Sequence, residues 1–119
     1  MIVVIFEVEI YVGMQDTYLK MAASLSDELS KQDGFISLER FESIETENKM
    51  LSLQLWKDEK SINDWRENAK HRRTMSIGYN KIFKDYKLKI LTSIRQYGKY
   101  ERDEASINVS VLTNEKNES

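Results

Sequence analysis

The sequence predicts an α+β domain of ferredoxin-like β-α-β-β-α-β order, its four strands forming one antiparallel sheet. Three observations carry that expectation. Four segments are rich in β-branched or alternating apolar residues, and two others carry apolar residues at helical spacing. The four glycines (Gly13, Gly34, Gly78 and Gly98) fall between those segments and act as punctuation. A length of 119 residues fits one domain.

Ile2 to Ile10 reads as the first strand, with Val4, Phe6 and Val8 on one face and Ile5, Glu7 and Glu9 on the other. A loop from Tyr11 to Gln15 leads to Asp16, a residue type suited to a helix N-cap. From Thr17 to Lys31, Tyr18, Ala22, Leu25 and Leu29 recur on one helical stripe, and Gly34 follows as a left-handed stop. Phe35 to Ile44 is the second strand. The polar turn Glu45-Thr46-Glu47-Asn48 joins it to the third, Lys49 to Trp56, as an antiparallel hairpin. Asp58 then caps a second helix whose stripe is Ile62, Trp65 and Ala69. The last strand alternates Tyr86, Leu88, Ile90, Thr92 and Ile94 against Lys87, Lys89, Leu91, Ser93 and Arg95.

Both helices can cover only one face of such a sheet. The uncovered face is expected to hold Ile5, Met50, Trp56 and Leu91 beside Glu7, Glu39 and Gln54. A face so mixed is poorly suited to bare water, which predicts a homodimer paired through it.

Composition excludes several function classes. With 18 basic and 20 acidic residues the net charge is −2, so no nucleic-acid partner is expected. There is no cysteine, which removes disulfides, thiolate metal sites and a cysteine nucleophile. One histidine and scattered carboxylates make no ligand set, so no metal is expected, and no flavin or nicotinamide fingerprint occurs. The apolar start Met1–Phe6 lacks a basic leader and is broken by Glu7 and Glu9, and no run of roughly 20 apolar residues exists. No membrane association is expected, and the default location is the cytoplasm.

Several segments resemble the antibiotic biosynthesis monooxygenase (ABM) family. They are Ile2-Val3-Val4-Ile5-Phe6-Glu7-Val8, the corner Asp33-Gly34-Phe35 with its strand through Phe41, and Leu51 through Glu59. Trp65, Arg66, His71 and Arg72, with Phe83-Lys84-Asp85-Tyr86, extend the match. The resemblance implies a dimeric α/β barrel over residues 1–96. It leaves residues 97–119 as a C-terminal extension, mobile or reaching across the dimer.

The resemblance implies a cofactor-free monooxygenase acting on a small hydrophobic compound, aromatic or quinol-like, with no bound cofactor. His71 is then the candidate base, because a neutral imidazole can take a proton from an electron-rich substrate. Trp65 stacks on the ring, and Trp56 and Arg72 are further candidates for substrate binding. Glu7 is a weaker candidate base; a salt bridge to Lys89 or Arg95 is its commoner role.

Two other readings stay open. The haem-degrading branch of the family has an Asn on the first strand, a helix Trp and a His ten residues later. Here Trp65 fits, but the other two positions hold Glu7 and Met75. The third reading is a non-catalytic small-molecule-binding dimer, which a cavity collapsed around Trp56, Trp65 and Phe6 would favour.

Overall fold

In the computed structural model, residues 1–68, 72, 73, 76 and 80–100 are described. The elements follow in the order β1 (Ile2–Ile10), α1 (Gln15–Ser24), α2 (Ser26–Ser30), β2 (Phe35–Glu42), β3 (Lys49–Trp56), α3 (Glu59–Arg66) and β4 (Phe83–Thr92). The strands form one antiparallel sheet in the order β2-β3-β1-β4, with the long connections carried by helices on one face. The ferredoxin-like α+β expectation therefore holds.

Details differ from the sequence reading in three places. The first helix is two. Ser24 Oγ donates to the Met21 carbonyl at 2.7 Å, and the chain turns at Leu25 before α2 begins. The N-cap of α1 is Met14, not Asp16, which lies in the first turn where its charge suits the helix dipole. The expected stripe still buries: Tyr18, Ala22 and Leu29 are buried and Leu25 half-buried.

The third correction concerns β3. Its pleat places Met50, Ser52, Gln54 and Trp56 toward the helices, opposite Val8, Phe6, Val4 and Ile2 of β1. Leu51, Leu53 and Leu55 face the uncovered side instead. Trp56 is fully buried and Met50 nearly so, and these two bulky groups set the phase for the smaller polar residues between them.

The corner between α2 and β2 shows why Gly34 is glycine. Its φ is +88°, and a Cβ there would run into the Ser61 side chain at the start of α3. Lys57 N donates to the Gly34 carbonyl at 2.7 Å. Asp58 caps α3 as expected, accepting from Ser61 N at 2.9 Å and Ser61 Oγ at 2.8 Å. The Asp33-Gly34-Phe35 corner is thereby locked to the helix that carries Trp65. In the β2–β3 turn Asn48 takes the left-handed conformation, with φ 58°.

Two buried clusters fill the space between sheet and helices. Val8, Ile10, Tyr18, Met50, Ile82 and Phe83 form one, and Val4, Leu29, Trp56, Ile62 and Trp65 the other. Among the described residues no helix is long and apolar enough to cross a membrane.

Candidate functional site

A half-open cavity of about 270 Å³ lies between the sheet and the helices, bridging the two clusters. Strand register builds its floor from two successive rows. One row runs Arg40–Ser52–Phe6–Leu88 and the next Leu38–Gln54–Val4–Ile90. Tyr18, Met21 and Leu25 of the α1 segment, with Ile62 and Trp65 of α3, form the roof. On the far side, Tyr86, Leu88 and Ile90 of the edge strand β4 line the cavity and are 41–49% exposed.

Tyr18, Arg40, Ser52 and Gln54 bring polar groups to this apolar chamber, with Tyr86 and Arg66 at its exposed margin. Gln54 has a fixed orientation. The indole N–H of Trp56 can only donate, and it donates to Gln54 Oε1 at 2.8 Å, which leaves the amide nitrogen as the donor free to meet a ligand. Burial pushes the Tyr18 hydroxyl above the usual tyrosine pKa, while the adjacent Arg40 guanidinium pulls it down. The phenol is thus a neutral donor near neutrality. The Arg40 Nε–H is buried and has no hydrogen-bond partner among the described residues.

The residues singled out from sequence separate widely. Trp65 is 5% exposed and forms part of the cavity roof. Trp56 does not line the cavity; it stands behind it, packed edge-on against Phe35 with centroids 5.4 Å apart, and positions Gln54. Arg72 is helical and exposed, outside the lining. His71 lies outside the described residues, as do Ala69, Met75 and residues 101–119.

Glu7 is on the opposite face of the sheet. It pairs with Lys89 at 2.8 Å and Lys49 at 3.5 Å. The Lys89 hydrogen bond, helped by both lysine charges and opposed by desolvation, holds its carboxyl below the usual glutamate range. Among the described residues no group of three His, Cys, Asp or Glu side chains gathers as a metal site.

Arg40, Tyr18, Ser52 and Gln54 were not singled out from sequence. In the sequence Tyr18 belongs to the apolar stripe, and Gln54 is expected on the uncovered face. The signal that could have found them is parity: Ser52 and Gln54 share it with Met50 and Trp56, and Arg40 shares it with Leu38 on β2.

A four-stranded antiparallel sheet roofed by helices around an apolar chamber defines an α+β protein of the ferredoxin-like class. The chain belongs to the antibiotic biosynthesis monooxygenase family, whose profile matches residues 1–76. It is 40% identical over 90 residues to the jasmonate monooxygenase ABM of Pyricularia oryzae, an alignment covering 76% of this chain. The chain spans only 42% of the length of that relative. Its fold is shared with SnoaB, a cofactor-independent oxygenase from Streptomyces nogalater, at a TM-score of 0.73 and 9% identity, covering 82% of this chain and 97% of SnoaB. A conserved protein from Methanosarcina mazei matches at a TM-score of 0.71 and 18% identity, covering 77% of this chain and 91% of that one.

Proposed function

We propose that the chain is a cofactor-free monooxygenase that oxidises a small, largely apolar, ring-containing compound with O2 in this cavity, as a homodimer. The observation that carries the reading is the chamber itself: about 270 Å³ of apolar space with the Trp65 indole in its roof and oriented donors on its floor. A non-catalytic module with a collapsed interior would lack that volume.

The reaction balances without an external reductant when the substrate carries an acidified CH2. A base removes one proton, the carbanion reduces O2 to a C–OOH group, and loss of water leaves C=O. One oxygen atom stays in the product and the other leaves as water. Trp65 packs on the ring and excludes solvent, while Gln54 Nε2 donates to the oxygen that gains charge. His71 is the base we assign from sequence, following α3 in the chain. The name of the Pyricularia relative and the cofactor-independent activity of SnoaB support the class of chemistry.

The homodimer reading rests on the uncovered face, where Val3, Ile5, Leu53, Leu55 and Leu91 form a contiguous apolar patch across three strands. The oxygenase reading is tested by incubating the protein with a panel of anthrones, which carry the acidified CH2, under 18O2. One labelled oxygen per product is expected, with turnover lowered about 100-fold or more in His71→Ala. No label above the heat-inactivated control sinks the proposal.

A further inference from the structure

Among the described residues both charged side chains lining the cavity are arginines, Arg40 and Arg66, and no carboxylate lines it, although the chain carries a net charge of −2. The two arginines are not equivalent. Arg66 is exposed at the end of α3, where water and salt screen it. Arg40 is half-buried in the floor, and it forms no ion pair with any described carboxylate. Its Nε–H is buried and unpartnered.

A guanidinium cannot shed its charge, so a buried unpaired N–H leaves a desolvation cost uncompensated. Its neighbour gives partial relief: Tyr18 shares a side-chain hydrogen bond with the guanidinium, but burial keeps the phenol from ionising, so it supplies no countercharge. A ligand anion would supply the countercharge that the described residues do not.

We infer that the substrate is an apolar monocarboxylic acid whose carboxylate is held by Arg40 and Tyr18. The carboxylate accepts from the Arg40 fork and from the Tyr18 hydroxyl, and the apolar body lies along Val4, Leu29 and Trp65. Charge count favours this class over a phosphate. One interior cation balances one negative charge, whereas a dianion would bring a second charge with no buried partner. A carboxylate also matches the planar guanidinium with two parallel hydrogen bonds. The inference rests on the cavity being the substrate site and narrows what enters it.

The test is calorimetric binding at about pH 7, where a carboxylic acid is ionised. Two probe pairs are compared, jasmonic acid and 4-phenylbutanoic acid, each against its methyl ester. The unaltered protein is expected to prefer each acid by at least about tenfold. Arg40→Met should lose that preference while still binding the esters, and Arg40→Lys should keep part of it. Equal affinity for acid and ester, an undiminished preference in Arg40→Met, or no binding of either acid overturns the inference. If Arg40→Met does not fold, the acid–ester comparison on the unaltered protein decides alone. Binding is read without turnover, so a failure here leaves the oxygenase reading standing; acid binding with no 18O incorporation sinks only that reading.

Discussion

On the uncovered face of the sheet, Glu7 sits between Lys89 at 2.8 Å and Lys49 at 3.5 Å. On the other face of the same sheet, Arg40 has a buried Nε–H with no hydrogen-bond partner among the described residues. Both are charged residues on strands, yet their surroundings differ completely. Glu7 finds its lysines diagonally across β1: Lys89 lies opposite Ile5, and Lys49 opposite Glu9. Arg40 instead lies in line with Ser52 and Phe6, facing empty volume. A charge whose partners come from its own chain holds the sheet together. A charge inside a cavity with no counter-ion among the described residues is available to a ligand. That contrast separates the two faces more sharply than hydropathy does.

The largest expected effect is on the cavity face. Trp65 is 5% exposed and packs with Val4, Leu29, Trp56 and Ile62. Trp65→Ala should destabilise the fold by about 3–5 kcal/mol in a denaturant titration, because the roof cannot collapse onto an already hollow floor. A loss below about 1 kcal/mol would mean that Trp65 lies loosely on the chamber and contributes little to the core.

The next effect belongs to the other face. Leu53 lies between Glu39 and Ile5 in the middle of the apolar patch. Leu53→Glu puts a charge where the proposed partner chain would sit, so light scattering should show the mass falling from two chains to one. If the variant keeps the mass of the unaltered protein, the sheet face is not the dimer contact.

How much of this could be read in the sequence follows the same division. The order of elements along the chain, the Tyr18–Ala22–Leu29 stripe, the Asp58 cap and the Gly34 corner are all legible, because each rests on local spacing or backbone chemistry. The facing of β3 is not. Its leucines are the more hydropathic set, but Trp56 and Met50 occupy more core volume, and the pleat follows them. Once the strand is phased that way, Ser52 and Gln54 face inward, a position that hydropathy alone assigns to solvent. Arg40 was hidden for the same reason: alternation cannot tell a polar residue facing water from one facing a cavity. The Gln54 orientation depends on a tryptophan two residues along the same strand.

The smallest expected effect tests the Glu7 half of the comparison. Its carboxyl is held below the usual glutamate range first by the Lys89 hydrogen bond, then by the charges of Lys89 and Lys49, against the opposing cost of desolvation. A group with a depressed folded-state pKa adds stability that is fully present above its unfolded pKa. That stability is lost as pH falls through the lower folded value. Glu7→Gln cannot titrate, so the difference in Tm between it and the unaltered protein should be steady from neutrality down to about pH 5. Below that it should shrink as the native carboxylate takes up its proton. Added salt should shrink it too, since Lys89 and Lys49 are exposed enough for ions to screen them. A difference that stays constant through the acid range would mean that Glu7 acts through packing rather than charge. The two faces would then differ in shape alone, and the unpaired state of Arg40 would lose its counterpart.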